Sequence, residues 1–467
     1  MPDLSPETLT TVVSWYDRWL AHRTRTLRVP GVQAAVRVDG ELVLSGAYGS
    51  ADLEEPTDLS TRHLFRIASH SKTFTAVAVL QLVESGALRL DDTVAQWLPR
   101  LADTAPDIGR RTLRQLLSHG GGVVRDGHDG DHWVLGLPFP DRERLLAIAA
   151  DDAAVFPADR DFKYSNIGYG LLGLVVEAAS GQSYNAYVAE HVVDRLGLLD
   201  TGPEYDPARA PDYATGYSAL ALGERVPVDH VDTRDLAAAT GFYATAEDLT
   251  AYFSAHLPGD ERLLSDDAKR SMRRQEWAVD DGGYGLGLIL STIRDRRLWG
   301  HSGGYPGHIT RSLFDPEDRL AVSVLTNAVD GPAAELADAF FSVLSLATDP
   351  ARDTPPAPDG LDPARFTGQF ASLWGVTEVA LLGGRLFALH PDQADPASKA
   401  TPLAVEDATT LRITERSGYG SPGEAIRYTF APDGTVESVR ISSGTTSVPL
   451  ATWRERIASV DRIRLPD

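Results

Sequence analysis

The pattern of apolar and polar positions predicts strands at both ends of the first 350 residues. Gly31–Gly49 predicts a β-hairpin, because two strand-forming runs flank Asp39-Gly40, a dipeptide typical of tight hairpin turns. Strand patterns return only at Arg297–His301, Ile309–Phe314 and Leu320–Leu325. We therefore expect the strands from the two ends to pair in one antiparallel sheet.

Helical patterns fill most of the chain between these strands. From Gly86 to about residue 290 the pattern is mainly helical, with long loops. The predicted fold class is therefore α+β: an antiparallel sheet flanked by helices, with a helical lobe formed by the middle segment. The predicted helices include residues 5–24 with Ser5 as N-cap, a helix that contains Ala76–Leu80 and ends near Gly86, Ile167–Ser180 and Gly331–Leu346.

A change of composition near residue 349 indicates a second domain. Residues 349–363 are rich in proline, aspartate and alanine, as is typical of a linker. Beyond them, short strands alternate with turn residues, which predicts a small all-β barrel or sandwich of about 100 residues. We predict a first domain over residues 1–348 and an all-β domain over 364–467. Its predicted strands are Phe366–Phe370, Val376–Leu382, Arg385–His390, Leu411–Thr414, Ile426–Phe430 and Val436–Ser442.

Composition limits the partners and the chemistry of the protein. Of 467 residues, 43% are hydrophobic and 24% charged, as in ordinary soluble globular proteins. The 66 acidic and 44 basic residues give a net charge of −22, which disfavours nucleic acids and anionic membranes as partners. The absence of cysteine excludes disulfides and cysteine nucleophiles. The chain shows no run of about 18 apolar residues and no signal-peptide pattern, so we expect a cytoplasmic protein.

A Ser-x-x-Lys sequence, Ser69 to Lys72, lies at the start of the helix that contains Ala76–Leu80. Residues three apart share a face of a helix, so Lys72 can lie beside Ser69. A serine hydroxyl needs a base to act as a nucleophile, and lysine can be that base when burial or nearby cations lower its pKa. Arginine could not replace it, and this arginine-rich chain has lysine only at positions 72, 163, 269 and 399. A four-residue match also arises by chance, so the prediction depends on two further motifs.

The second motif is Tyr164-x-Asn166, just before the helix predicted from Ile167. Tyr164 can carry a proton if a nearby ammonium favours its phenolate. Asn166 can hold a substrate carbonyl or orient Lys72. Alternatively the tripeptide is only a capping loop, because asparagine is a good helix N-cap.

The third motif is Gly300-His301-Ser302-Gly303-Gly304, which we place on an edge strand. Glycines there would let a substrate approach closely, so we predict that Ser302 and Gly303 bind it. The amides of Gly304 and Ser69 could form an oxyanion hole, and His301 could protonate or orient a substrate group. The alternative is a strand histidine followed by a tight turn.

The same five residues also spell Gly-x-Ser-x-Gly, the nucleophile elbow of α/β hydrolases, which would make Ser302 the nucleophile. An elbow needs a strand before the serine and a helix after it. Tyr305-Pro306-Gly307-His308 and the strand-like residues that follow cannot begin a helix cleanly. We therefore favour Ser69.

In this order the three motifs resemble those of the serine β-lactamase and penicillin-binding-protein superfamily, and most closely its class C β-lactamase-like branch. The resemblance covers roughly residues 8–348, and it includes Leu116-Leu117-Ser118-His119 and the strand leading to Thr326-Asn327. It implies that Ser69 attacks an acyl carbonyl while Lys72 and Tyr164 move its proton. Water or another nucleophile would then release the acyl-enzyme.

Two departures from the class C pattern bear on the reaction. Class C β-lactamases carry Lys-Thr-Gly where this chain has His301-Ser302-Gly303, which is more similar to some D-alanyl-D-alanine peptidases, D-aminopeptidases and related esterases. Gly120-Gly121-Gly122 stands where the family often has Thr-Ser-Gly. The all-β domain resembles the lipocalin-like domain that follows many such hydrolases, and penicillin-binding-protein-type thioesterases that cyclise peptides share this layout.

The polar segment Asp126–His132 suggests a metal site at first sight. It lacks the spacing of a Ca²⁺ loop, and its glycines forbid the helix on which two histidines four apart would bind zinc. We therefore predict a polar loop near the mouth of the active site, and neither a metal nor a cofactor.

The sequence thus predicts a carboxylesterase-like serine hydrolase that cleaves a small-molecule or peptide ester or amide through an acyl-enzyme on Ser69. One alternative is a peptidase specific for D-amino acids, or a thioesterase of the penicillin-binding-protein type that cyclises peptides. Another is a β-lactam-binding sensor that is acylated without turnover. The sequence does not predict an oligomeric state.

Overall fold

The computed structural model describes residues 4–151, 153–349, 357–416, 421–441, 444–459, 461 and 463. The chain divides into two compact units, residues 27–337 and residues 1–26 together with 338–467. The first contains a large antiparallel sheet with helices, and the second contains a closed β-barrel. The predicted α+β class with a C-terminal all-β barrel is therefore confirmed. Residues 350–356 of the predicted linker lie outside the described residues, and the domain boundaries stay a prediction.

Thirteen strands are described in the unit formed by residues 27–337, nine of them in the large sheet. In chain order they are β1 (Gly31–Val38), β2 (Glu41–Asp52), β3 (Thr57–Asp58), β4 (Phe65–Arg66), β5 (Gly216–Tyr217), β6 (Pro227–Val228), β7 (Tyr243–Ala244), β8 (Trp277–Val279), β9 (Gly282–Tyr284), β10 (Ile289–Ile293), β11 (Arg296–Tyr305), β12 (His308–Asp315) and β13 (Leu320–Thr326).

The two ends of this unit join in the large sheet, whose order is β3-β2-β1-β13-β12-β11-β10-β9-β8. β1 pairs with β13 in antiparallel register, from Val32 opposite Thr326 to Val38 opposite Leu320. All seven residues of β13 are buried, as are the first six of β1. A strand that is buried on both faces has a nearly continuous run of apolar residues, and this explains why both strands of the pair could be predicted from the sequence.

The prediction of a mainly helical pattern up to about residue 290 is wrong at its end. Residues 277–293 form β8, β9 and β10, which extend the sheet beyond β11. β8 and β9 have three residues each, and in β10 only Leu290 is buried. Such short strands at the margin of a sheet bury too few apolar residues to produce a clear pattern.

Two buried helices form the centre of the first unit. Every residue from Ser71 to Leu80 in α2 (Ser71–Glu84) is buried, and α8 (Asn166–Ser180) is buried from Asn166 to Val176. α8 ends as predicted, at Gly181, which adopts φ +74° in the left-handed region that favours glycine. Within the described residues the α-helices are α1 (Pro6–Thr26), α2 (Ser71–Glu84), α3 (Val94–Trp97), α4 (Arg100–Thr104), α5 (Pro106–Gly109), α6 (Leu113–Leu117), α7 (Arg142–Ala150), α8 (Asn166–Ser180), α9 (Tyr184–Val188), α10 (Ala237–Thr240), α11 (Ala246–Ser254), α12 (Asp266–Arg273), α13 (Ala333–Thr348) and α14 (Leu450–Ala458).

The second unit contains a closed barrel of eight antiparallel strands, in which β14 (Gly368–Ser372) pairs with β21 (Thr446–Pro449). Two of these strands were not predicted, because each contains a proline and one has only four residues. Ser442, at the end of the last predicted strand, lies outside the described residues. The lipocalin-like assignment stays a prediction. The strands are β14 (Gly368–Ser372), β15 (Gly375–Leu382), β16 (Arg385–Leu389), β17 (Thr401–Asp407), β18 (Thr410–Ile413), β19 (Ala425–Phe430), β20 (Val436–Arg440) and β21 (Thr446–Pro449).

The N-terminal helix α1 belongs to the same unit as the barrel. Ser5 accepts a hydrogen bond from the Thr8 amide at 3.1 Å, as its predicted N-cap role requires. The Trp19 indole donates to the Pro391 carbonyl at 2.9 Å, next to β16. None of the helices in the described ranges has both the length and the apolar character that crossing a membrane requires. The cytoplasmic location stays a prediction.

Seven histidines with a lowered pKa predict that the first unit loses stability at acid pH. Burial lowers the pKa of each below the ordinary value of 6.5, whereas the same residues in an unfolded chain bind protons near pH 6.5. The free energy of unfolding should therefore fall as the pH drops below 6.5, by about 1.4 kcal/mol per pH unit for each histidine, until the folded-state pKa is reached. Urea unfolding between about pH 7 and pH 5 measures this loss. The seven are His70, His119, His132, His230, His256, His301 and His308.

One of these histidines offers a direct control. His256 packs against the rings of Tyr252, Phe253 and Phe314, and its Nε2 has no hydrogen-bond partner among the described residues. His256→Phe should therefore remove one titrating group and make the pH dependence less steep. The matched variant of an exposed histidine, His128→Phe, should leave the slope unchanged. An unchanged slope in His256→Phe would contradict the explanation.

Candidate active site

Ser69 lies in a short 3₁₀ turn, Ala68–His70, immediately before α2. Ala68 adopts φ +45°, in the left-handed region that is uncommon for a residue with a side chain. The Ser71 hydroxyl stabilises the turn by donating to the Ala68 carbonyl at 2.6 Å. Ser69 is thus held at the N-terminal end of the buried helix, three residues before Lys72.

Lys72 is fully buried beside Ser69. Its Nζ lies 3.1 Å from the Ser69 Oγ, 2.8 Å from the Asn166 Oδ1 and 2.8 Å from the Ala239 carbonyl oxygen. Burial lowers the pKa of Lys72 well below its ordinary 10.5, which favours the neutral amine. The amide and carbonyl oxygens can only accept, so they take the two N–H bonds of that amine. The lone pair of Nζ is then left for the Ser69 hydroxyl.

The Tyr164 hydroxyl donates to the Ser69 Oγ at 2.8 Å. Lys72 Nζ also lies 4.8 Å from the centroid of the Tyr164 ring. Burial raises the pKa of Tyr164 above its ordinary 10.0, although the hydrogen bond to Ser69 acts in the opposite direction. The tyrosine is therefore protonated at neutral pH, and the phenolate considered from the sequence is not its resting form.

Asn166 is the first residue of α8, and its side chain bridges the Lys72 amine and the Asp126 carboxylate. The helix cap is Ser165, whose hydroxyl accepts from the Gly168 amide at 2.8 Å, so the capping explanation of Asn166 is wrong. The Asn166 Oδ1 accepts from Lys72, while its Nδ2 donates to the Asp126 Oδ1 at 2.7 Å. The second motif is therefore connected to the first by hydrogen bonds.

The third motif lies on β11, which runs between β10 and β12 and is not an edge strand as a whole. Its pairing with β10 ends where Gly300 lies opposite Ile289. Its pairing with β12 continues to Tyr305. The residues after Gly300 therefore form a local edge, and this half of the strand agrees with the prediction.

The two glycines at the end of the motif have different surroundings. A Cβ on Gly303 would lie 2.1 Å from the Ile67 carbonyl oxygen, so glycine lets β11 pack against the turn that holds Ser69. Gly304 lines the same cavity as Ser69, and a Cβ there would make only an ordinary contact with Ile309 at 3.5 Å. The oxyanion hole formed by the amides of Gly304 and Ser69 stays a prediction.

Both ring nitrogens of His301 have partners within the protein. Nδ1 lies 2.6 Å from the Ser302 carbonyl oxygen, which can only accept, so Nδ1 carries the proton. Nε2, at 3.2 Å, then accepts from the Tyr284 hydroxyl. Burial lowers the pKa of His301 well below 6.5, so the ring is neutral. In the described part of the chain it makes no hydrogen bond to the first two motifs, and its role as a proton donor stays a prediction.

A cavity of about 290 Å³ opens where the three motifs meet. Six of the eight predicted site residues line this cavity, Lys72 lies buried behind Ser69, and Gly303 packs against the Ile67 carbonyl instead of contributing to the cavity wall. The binding of substrate by Ser302 and Gly303 stays a prediction. Trp133 and Ile289 add apolar surface to the wall, and Arg125 adds a cation. The lining residues are Ser69, Arg125, Trp133, Tyr164, Asn166, Ile289, His301, Ser302 and Gly304.

Ser302 does not occupy a nucleophile elbow. β11 continues through it to Tyr305, and β12 begins at His308 after a short turn. A strand therefore follows where an elbow requires a helix. This confirms the prediction that these five residues do not form a nucleophile elbow.

Three polar residues of the site were not predicted. Asp126 is the first residue of the polar segment that the sequence placed near the active-site mouth, Arg125 immediately precedes it, and Tyr284 lies at the end of β9. The many charged residues of that segment indicated that it lies near the site. They did not indicate which groups its side chains contact.

Comparisons with known proteins agree with this geometry. The sequence profile of the family described as Beta-lactamase matches residues 16–346. A curated relative, penicillin-binding protein 4 of Amycolatopsis lactamdurans, is 30% identical over 335 residues, which cover 67% of this chain and 84% of that protein.

Solved structures resemble the chain over different lengths. SurE is 29% identical with a TM-score of 0.61, over 94% of this chain and 99% of SurE. Its structure with D-Leu gives 28% identity and a TM-score of 0.59, over 96% and 100%. The D-amino acid amidase of Ochrobactrum anthropi SV3, complexed with D-phenylalanine, is 25% identical with a TM-score of 0.59, over 72% of this chain and 98% of the amidase.

Proposed function

The chain belongs to the beta-lactamase family, and we propose that it is a serine hydrolase that cleaves an ester or amide through an acyl-enzyme on Ser69. The observation that supports this most strongly is the set of contacts around Lys72 Nζ. Two of its three oxygen partners can only accept hydrogen bonds, and the third is the Ser69 hydroxyl. A neutral lysine in this position has its lone pair available for the proton of the nucleophile.

In the proposed acylation step, the Ser69 Oγ forms a bond to the acyl carbon while its proton passes to Lys72. Backbone amides of Ser69 and Gly304 hold the negative charge that develops on the carbonyl oxygen. The bond to the leaving group then breaks, and the leaving group takes up the proton that Lys72 received. Tyr164 donates to the same Ser69 oxygen, so it could also give its own proton to the leaving group and take the proton from Lys72 in exchange.

Deacylation repeats these roles with water as the nucleophile. Water attacks the acyl carbon and gives a proton to Lys72, and Ser69 leaves with that proton as a neutral hydroxyl. Lys72, rather than Tyr164, is the proposed base in both steps, because burial lowers the pKa of the lysine and raises that of the tyrosine.

A second, narrower candidate is an amidase or acyltransferase that prefers a D-configured residue. It is supported by the likeness to a D-amino acid amidase complexed with D-phenylalanine and to SurE, which was solved with D-Leu. The cavity wall also offers apolar surface from Trp133 and Ile289, which suits an apolar side chain.

A substrate panel tests both candidates. We expect the wild-type protein to hydrolyse p-nitrophenyl acetate repeatedly, and to release ammonia faster from D-phenylalanine amide than from L-phenylalanine amide. Both activities should depend on Ser69. Ester turnover without any D-amide turnover would contradict the narrower candidate. A single stoichiometric acylation without turnover would favour the sensor, and cyclisation of a peptidyl thioester would favour the cyclising thioesterase.

A further inference from the structure

Asp126 lies behind the catalytic residues and accepts hydrogen bonds from two side chains of the site. Its Oδ1 accepts from the Asn166 Nδ2 at 2.7 Å and from the Trp133 indole at 2.9 Å. Its Oδ2 lies 3.3 Å from the Arg125 Nε. The carboxylate side chain is only 15% exposed, so these contacts replace most of its hydration. An ionised carboxylate can only accept hydrogen bonds, and this fixes what its partners must present to it.

This carboxylate determines which end of the Asn166 amide faces Lys72. Only the Nδ2 end can donate to Asp126, so the Oδ1 end is left for the lysine. In the opposite orientation, the two oxygens of Asp126 and Asn166 would face each other. The Asn166 N–H bonds would then point at the Lys72 Nζ and compete with Ser69 for its lone pair. A neutral lysine in that state could not receive the Ser69 proton.

We propose that Asp126 is a positioning residue, which holds the Asn166 amide in the orientation that leaves the Lys72 lone pair free for the Ser69 hydroxyl. The inference rests on the proposed function, in which Lys72 is the base. It assigns a role to the polar segment Asp126–His132 that the sequence placed near the site. Asp126 acts through Asn166 and does not touch the reacting atoms.

The charge of Asp126 has a second effect, which provides an independent readout. The carboxylate raises the pKa of Lys72 against the larger lowering by burial, and Arg125 lowers it. Removing the negative charge should therefore lower the pKa of Lys72 further. The acid limb of the pH profile of kcat/KM should then move to lower pH, because activity requires the neutral amine. The titratable or charged groups around Lys72 are Asp126, Arg125, His119, His301 and the phenols of Tyr164 and Tyr169.

Two substitutions of Asp126 separate its effect on the orientation of the Asn166 amide from the effect of its charge on Lys72. Asp126→Leu removes both the acceptor and the charge, and it should lower kcat about 10- to 100-fold with little change in KM. Asp126→Asn keeps one acceptor oxygen for Asn166 but removes the charge, so kcat should fall less than about tenfold. In both variants the acid limb should move to lower pH. The matched controls are Asp129→Leu and Asp129→Asn, because Asp129 is an exposed carboxylate of the same segment.

A double-mutant cycle tests whether Asp126 acts through Asn166. In an Asn166→Ala background, adding Asp126→Leu should change kcat by less than about twofold, because the amide to be oriented is gone. A further drop equal to that of the single variant would overturn the proposal. Urea unfolding of each variant shows whether a loss of kcat comes from unfolding. If Asp126→Leu fails to fold, Asp126→Asn still tests the proposal, because asparagine has nearly the same shape as aspartate.

The outcomes distinguish this proposal from the proposed function. If activity requires Ser69 but Asp126→Leu and Asp126→Asn retain the wild-type kcat and pH profile, only the positioning role fails. If the Ser69→Ala protein stays active, the acyl-enzyme function fails and the role of Asp126 fails with it.

Discussion

Replacing Ser69 by alanine is expected to reduce turnover of every substrate by on the order of 10⁴–10⁶-fold. Without the Ser69 Oγ no acyl-enzyme forms, and Lys72 and Tyr164 lose the oxygen to which both are hydrogen-bonded. The residual rate would come from binding and from amides that polarise the carbonyl. Steady-state turnover of p-nitrophenyl acetate measures the loss, and urea unfolding checks that the variant is folded.

Ser302→Ala provides the comparison for Ser69→Ala, since both serines line the cavity. Ser302 follows His301 on a strand that continues to Tyr305, and its loss should cost far less activity than the loss of Ser69. If Ser302→Ala abolished turnover while Ser69→Ala stayed active, the nucleophile would be Ser302 and the proposed mechanism would be wrong.

The second large effect is expected from Lys72. Lys72→Met has an unbranched side chain one heavy atom shorter than lysine and no basic amine, and it should lower kcat by about 10²–10⁴-fold, the usual contribution of a general base. Lys72→Arg should be similarly impaired, because a guanidinium keeps its proton at any accessible pH. Steady-state kcat and the rate of the acylation burst with p-nitrophenyl acetate measure both variants.

The Lys72→Arg variant distinguishes a role of Lys72 as a base from a role as a fixed positive charge. If Lys72 acted only as a cation, Lys72→Arg would retain much more activity than Lys72→Met. Equal impairment of the two supports loss of the base. Lys399→Met, at an exposed position in the barrel unit, is the control and should leave turnover unchanged.

Much of the fold could be predicted because its central elements have strong local patterns. A few neighbouring residues are enough to predict each of three features: the hairpin turn at Asp39-Gly40, the buried runs of β1 and β13, and the glycine that ends α8. β8 to β10 and two barrel strands were missed, because they are short, partly exposed or contain proline. Their strand conformation depends on neighbours that are distant in sequence.

The candidate site was predictable where its residues lie within one helical turn or one tripeptide. Ser69 and Lys72 are three apart, so a helix is enough to bring them together. The Ala239 carbonyl that accepts from Lys72 lies 167 positions away and has no side-chain signature at all. Asp126 lies 40 positions before Asn166, and only the folded chain shows that the two are paired.

His301 shows how a tertiary contact changes the expectation drawn from a motif. The sequence suggested a histidine that acts on the substrate. The structure places the Tyr284 hydroxyl against one ring nitrogen and a backbone carbonyl against the other. Tyr284 lies on β9, one of the strands that the sequence pattern did not reveal. The partner of His301 was therefore missed because the strand that carries it was missed.

The most direct test of the central claim is mass spectrometry of the protein after incubation with a fluorophosphonate, which traps serine nucleophiles. We expect one adduct per chain, mapped by peptide analysis to Ser69, absent in Ser69→Ala and formed much more slowly in Lys72→Met. An adduct on Ser302, or an unmodified Ser69 in a protein that still turns over p-nitrophenyl acetate, would contradict the acyl-enzyme mechanism.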